Sequence, residues 1–275
     1  MRGLALSLAV AGLVWVAFSS GSSSTRAGQT AGLAGGAETN PQPVVVELFT
    51  SEGCSACPPA DRFLIQLQKS QPVPGAKIIA LGEHVDYWNR LGWTDQFSSA
   101  ELSERQQAYS AALANDSVYT PQMIVDCRRD IVGGNQARVL NTIAKSARAP
   151  KASIVVSRSD ATDEPDSEKL TLHVRVDGLD RVKGYERADV WLVIAEDDLE
   201  SNVVRGENAG RHLRHVGVVR QMRIIGQVEP NKVATFTSDP AVTLRPEWKR
   251  GKLNAVVFIQ EHRGMRILGA GALSL

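Results

Sequence analysis

Cysteine is scarce in this chain of 275 residues: there are three, an odd number, where a disulfide-stapled fold needs an even and denser set. The cysteines are therefore not what holds the fold together. Hydrophobic residues make up 43% of the sequence and charged residues 22%, enough apolar material for an ordinary packed core. A surplus of one charge is also missing. Lys and Arg number 31 and Asp and Glu 30, and without Arg2 the two are equal. A balanced surface has no long-range field, which argues against nucleic acid or an anionic membrane as partner. There is no second CxxC and no HxxxH, so the paired ligand sets of common zinc sites are missing too.

Long apolar runs are confined to the N-terminus. Met1-Arg2 is a minimal basic start, Gly3 to Phe18 carries no charge, and Ala17-Phe18-Ser19 offers small residues at a cleavable spacing. A spanning helix needs about 20 apolar residues, so this segment is short for an anchor. The pattern predicts a signal peptide over 1–19, then a flexible Ser/Gly/Ala/Thr-rich tether over 20–43. The mature protein is expected to be periplasmic or secreted and free of the membrane, in a compartment where disulfides persist.

Residues 44–149 read as alternating elements. Val44 to Phe49 is a nearly continuous apolar run, as in a strand buried on both faces, although Glu47 interrupts it. Ala60, Phe63, Leu64 and Leu67 share one helix face, and Lys77 to Leu81 is a second buried strand. A helix within 96–115, a hairpin of 122–126 with 130–134 and a last helix through Val139 and Ile143 complete the order β-α-β-α-β-β-α. Past Pro150 the texture changes to short period-two runs between turn clusters, without a long helix. Residues 150–275 are accordingly expected to form an all-β, immunoglobulin-like sandwich, although no Cys…Trp…Cys pattern is present.

The chemistry concentrates at Ser51-Glu52-Gly53-Cys54-Ser55-Ala56-Cys57-Pro58-Pro59, a CxxC turn between the first strand and the first helix. A helix N-terminus favours a thiolate there, through its dipole and its unpaired N–H groups. Neither Ser55 nor Ala56 adds a positive charge, and Glu52 opposes the thiolate with Arg62 as a candidate counter-charge, so a couple less oxidising than one with His between the cysteines is expected. A structural disulfide or half of a metal site is the competing reading.

With this element order, the CxxC and Thr120-Pro121 before the third strand, the first half resembles the thioredoxin superfamily. More narrowly, VVELFTSEGCSACPPAD, HVDYWNRLGW, TPQMIVD and RGENAGRHLRHVGVVR resemble the DUF1223 family of exported proteins of undefined function, from about Val44 to the C-terminus. The resemblance implies an α/β thioredoxin-like domain (βαβαββα) over 44–149. It also implies Cys54 as an exposed nucleophile, Cys57 as the resolving thiol and Pro121 as a cis proline facing them. Glu47 would be a buried acid beneath the dithiol, or else a solvated or paired residue at the sheet end. A glycine-like turn is expected where Cys127 stands.

Cys127 lies six residues past Pro121, which at extended spacing puts it about 20 Å from the dithiol, as a spare thiol in preference to an intermolecular linker. His84 to Trp93 is either a substrate-facing wall or a loop packing its aromatics on the fold edge. Arg205 to His215 reads as a loop and strand edge of the second half, with anion binding or docking onto the first half as the alternatives. The expected activity is thiol–disulfide exchange with protein thiols or disulfides, without a cofactor. The alternative is a non-catalytic scaffold that binds copper(I), which soft thiolates suit, or an envelope partner.

Overall fold

A computed structural model describes residues 40–115, 117–127, 129–159, 168–230, 232 and 234–275. The expected leader 1–19 and the tether up to residue 39 lie outside them, as do Arg128 in the 127–129 turn and Val233 at the start of an expected strand. The first strand begins inside the stretch read as tether, so that β1 is Gln42–Thr50. It is followed by α1 (Pro58–Ser70), β2 (Ala76–His84), α2 (Ala100–Ala112), β3 (Gln122–Val125), β4 (Asp130–Val132) and α3 (Gln136–Ser146). The second half supplies β5 (Ser153–Arg158), β6 (Lys169–Asp177), β7 (Ala188–Glu196), β8 (Leu199–Asn202) and β9 (His212–His215). Then come β10 (Val218–Val228), β11 (Thr235–Ser238), β12 (Ala241–Thr243), β13 (Leu253–Glu261) and β14 (Ile267–Ser274).

β1 is buried from Val44 onward because it lies inside the sheet and is covered on both faces. Val44, Val46 and Leu48 pack against Phe63, Leu64 and Leu67 of α1 and Val139 and Ile143 of α3. Val45 and Phe49 point the other way, toward Leu102 and Tyr109 of α2. This alternation follows from the strand's two-residue period, and it decides where Glu47 goes.

The two halves of the chain share one sheet of eight strands in the order β14-β13-β7-β10-β2-β1-β3-β4. The seam is the parallel contact of β10 with β2 at Val218 and Gly82. Gly217 makes that approach possible. Its φ is +58°, and a Cβ there would lie 2.1 Å from the Ala80 carbonyl oxygen, so only glycine fits. The texture change expected near Pro150 is thus real in sequence, yet backbone hydrogen bonding continues across it, and the described residues form one compact unit. A second sheet, with β5 on one edge of β6 and β11 and β12 on the other, faces β7 and β13 across a core that includes Leu172, Val174, Val190, Leu192, Val257 and Ile259. Among the described residues no helix is long and apolar enough to cross a membrane.

Candidate functional site

The CxxC turn leaves the end of β1 and enters α1. Cys54 and Cys57 are joined as a disulfide, with their Cα atoms 5.4 Å apart. Cys57 is the N-cap of α1, and Pro58 and Pro59 fill its first two helical positions. Proline there is preorganised for the helix but has no N–H to offer. The amides of Ala60 and Asp61 both donate to the Cys57 carbonyl, and that of Ser55 donates to Glu207. The unpaired N–H groups expected to stabilise a thiolate are therefore largely absent or already engaged.

Cys54 is not the exposed nucleophile anticipated: it is 1% exposed, although Ser55, Ala56 and Pro59 beside it are open to solvent. The loop between β8 and β9 is hydrogen-bonded onto this turn. Asn208, itself fully buried, donates through Nδ2 to the carbonyls of Glu52 and Cys54 at 2.8 and 2.9 Å. Glu207 Oε2 accepts from the Ser55 amide at 3.0 Å, and hydrogen bonds from the Ser55 side chain and then its amide hold the Glu207 carboxyl below the usual range. Docking of the 205–215 stretch onto the first half is thus the alternative that the structure bears out.

Behind the turn lies a buried polar cluster. His84 Nδ1 and Asp95 Oδ2 are 2.7 Å apart, and Asp95 Oδ2 also accepts from the Glu52 amide. Trp93 Nε1 donates to Glu52 Oε2 at 2.7 Å, and His215 of β9 brings Nε2 to 3.4 Å from Glu52 Oε1. The rings of His84 and His215 meet edge to face at 4.7 Å. Burial opposes a charge on His84, but the charge and hydrogen bond of Asp95 outweigh it, so its pKa is raised. The 84–93 loop therefore both lines the site and packs: Trp93 holds Glu52, and the Cβ of Trp88 lies where a side chain on Gly53 would need space.

The carboxylate nearest the dithiol in the helix is Asp61, which the sequence reading missed. Its amide donates to the Cys57 carbonyl at 3.1 Å, so the two residues are one turn apart on one helix face. Thr50 Oγ1 donates to its Oδ1 at 2.9 Å. Burial raises its pKa, against the opposing pull of His215 and His84. The i, i+4 spacing from Cys57 was the available signal.

Glu47 is not beneath the dithiol. It belongs to the face of β1 turned away from α1, where Arg105 of α2 donates to Oε1 from Nε at 2.9 Å and from Nη2, and the Tyr109 hydroxyl donates to Oε2. Arg105 also reaches Glu83 at 3.4 Å and Gln260 of β13 at 3.1 Å. Burial, then the charge of Glu47, push the Glu83 pKa well above the carboxylate range. This network ties β1, β2, α2 and β13 together, so it joins the two halves rather than serving the cysteines.

The Thr120–Pro121 peptide is cis, as expected. Pro121 stands by the first turn of α1 across Gly133, where a Cβ would come within 2.9 Å of Pro121 Cβ and 2.8 Å of Ala60 Cβ. Cys127 sits at φ +51°, the left-handed conformation that favours glycine, in the turn between β3 and β4. Its thiol is buried beside Phe49 and Tyr109 and its pKa is pushed up to about 12, chiefly by burial and then by Glu47. A thiol so protonated is a poor nucleophile. Among the described residues no group of three or more His, Cys, Asp or Glu side chains is arranged to hold a metal ion.

Fold and site together define a mixed α/β protein with a closed CxxC disulfide where a central strand meets a helix. The chain belongs to the DUF1223 family, described as a protein of unknown function, which it matches over residues 45–260. It is similar to the crystal structure of protein AGR_C_4864 from Agrobacterium tumefaciens, with 26% identity, a TM-score of 0.64 and coverage of 86% of this chain and 96% of that one. It also shares its fold with HBP35 of Porphyromonas gingivalis, at 16% identity and a TM-score of 0.62, covering 86% of this chain and 76% of that one. None of the curated proteins matches the chain.

Proposed function

We propose that this is an exported thiol–disulfide exchange protein, acting on protein thiols or disulfides from a thioredoxin-like first half joined to an immunoglobulin-like second half. The observation that carries the reading is the Cys54–Cys57 bond at a strand-to-helix turn with the buried Asp61 carboxylate one helical turn from Cys57. The order β-α-β-α-β-β-α and the cis Pro121 by the first turn of α1 support it. The export part rests on the N-terminal sequence pattern.

Exchange runs as follows. Cys54 thiolate attacks a partner disulfide, forming the Cys54–partner bond and releasing one partner sulfur as a thiolate. Asp61 takes the proton from Cys57. The Cys57 thiolate then attacks the Cys54 sulfur, closing the internal bond as the second partner sulfur leaves and is protonated by water. The protein is oxidised by two electrons and the partner disulfide is reduced.

The surroundings favour this reducing direction. A reduced site must accommodate negative charge near Glu52, Asp61 and Asp95, with the first amides of the helix engaged or replaced by proline. Poor thiolate stabilisation favours the disulfide and lowers the potential. The Cys54–Cys57 couple is expected near ~−270 mV, the poise of a reductant, in a glutathione or dithiothreitol equilibrium. A value near ~−120 mV, typical of a strong oxidant, contradicts this direction.

A further inference from the structure

We propose that the Val203–Arg211 loop is a reversible cover over Cys54, latched by Asn208, which has to lift before the sulfur can meet any partner. The inference rests on the exchange reading only for its biological purpose. The covering itself is geometric.

A sulfur is attacked along the axis of the bond that breaks, so the incoming atom needs a clear line to it. Cys54 gives none at 1% exposure, while three of its neighbours face solvent. Against this residue the second half of the chain sets Asn208, whose amide holds the Cys54 carbonyl. The loop is pinned at its neck by backbone bonds from Gly210 to the Val203 carbonyl (2.7 Å) and from Val203 to the Arg211 carbonyl (3.0 Å). Gly206 within the loop and Gly210 at its neck take left-handed conformations at φ 76° and 81°.

The fastening to the first half is sparse. It includes the two bonds from Asn208 Nδ2, the bonds of Ser55 to Glu207 and the close approach of Gly206 to Trp93. Asn208 Oδ1 is buried without a partner, so the latch uses only the donor half of its amide. On the outside Val204, Arg205, Glu207, Ala209 and Gly210 are exposed, and no other element of the described chain packs over them. Lifting the loop breaks these bonds and leaves the neck and β9, with His215 against Glu52, in place. The geometry makes Asn208 a positioning residue for the dithiol turn, and it gives the β8–β9 hairpin the role of controlling entry.

The test uses the mature protein, with Asn208→Ala and Glu207→Ala made separately. Reduction by tris(2-carboxyethyl)phosphine is timed: phosphorus attacks one sulfur, the S–S bond breaks, and water supplies the oxygen of the phosphine oxide and the protons of two thiols. Asn208→Ala should accelerate reduction about thirtyfold, the effect of losing two hydrogen bonds worth about 1 kcal/mol each, at a factor of ten per ~1.4 kcal/mol. Glu207→Ala, at an exposed position that does not endanger folding, should accelerate it about fivefold through the bond to the Ser55 amide. A cover changes forward and reverse rates alike, so the equilibrium potential of both variants should stay at the wild-type value, whereas a distorted turn would move it.

Unchanged rates in Glu207→Ala and Asn208→Ala, or acceleration accompanied by a shifted potential, overturn the cover. Accelerated rates with a potential far below the exchange range would leave the cover standing and sink the exchange reading. The opposite pattern, a potential within range and unchanged rates, would do the reverse.

Discussion

Replacing Arg105 by Met should lower the unfolding free energy by about 3–5 kcal/mol, the cost of leaving a buried charge without its partner. Glu47 is fully buried and takes two hydrogen bonds from the guanidinium, so the variant strands a carboxylate in the core with Tyr109 as its remaining donor. Glu83 adds less, because burial and the charge of Glu47 already drive it toward its neutral form. Urea titration reads the effect as a fall in midpoint at constant slope. Adding Glu47→Gln to Arg105→Met should recover part of the loss, since it removes the stranded charge. Glu47→Gln alone should leave the potential of the Cys54–Cys57 couple unchanged, because its side chain lies on the sheet face opposite α1. A loss below about 1 kcal/mol for Arg105→Met would mean that the pair is no more than a surface ion pair in strength.

Asp61→Asn should separate the two steps of exchange. Formation of the mixed disulfide at Cys54 does not need the carboxylate, whereas its resolution requires Cys57 to give its proton to Asp61, whose pKa burial has raised. Resolution should slow by about 10²-fold at neutral pH, the lower range for losing a general base. The asparagine side chain can still accept from Thr50, so the fold should survive. Rapid-quench trapping of the mixed disulfide distinguishes the steps: its rise should be near wild type and its decay slow. Decay within about threefold of wild type would show that another group, or water, takes the proton.

Much of the first half was legible in the sequence because its elements keep clean periods. The face of Ala60, Phe63, Leu64 and Leu67, the hairpin around Cys127 and the buried run of β1 all appear where the pattern puts them. β10 did not announce itself. Its eleven residues carry Arg220, Gln221 and Arg223, and register shifts between Val219 and Gln221 and between Ile224 and Gly226 interrupt the two-residue alternation. Since β10 is the strand that meets β2, losing it concealed the shared sheet. The same gap hid the cover: Asn208 sits in a stretch with no apolar period, and its purpose depends on backbone carbonyls 154 and 156 residues away in sequence.

The site was partly legible for a related reason. Cys54 and Cys57 carry a local signature that could be read directly, whereas the cis Pro121 was implied by the family resemblance. Glu47 was conspicuous as a lone acid in an apolar strand, but its parity in β1 matches Val45 and Phe49, which face α2. Asp61 looked like an ordinary polar residue of a helix, and only burial against Thr50 sets it apart.

The most direct measurement is the accumulation of mixed disulfides on a Cys57→Ser variant. If Cys54 attacks partner disulfides and Cys57 resolves the product, the variant exposed to envelope protein disulfides should build up a covalent adduct at Cys54. That adduct should be released by dithiothreitol and absent from Cys54→Ser. A Cys57→Ser protein that stays folded, keeps a free Cys54 thiol and forms no adduct would contradict the account, and would make the Cys54–Cys57 bond a static one.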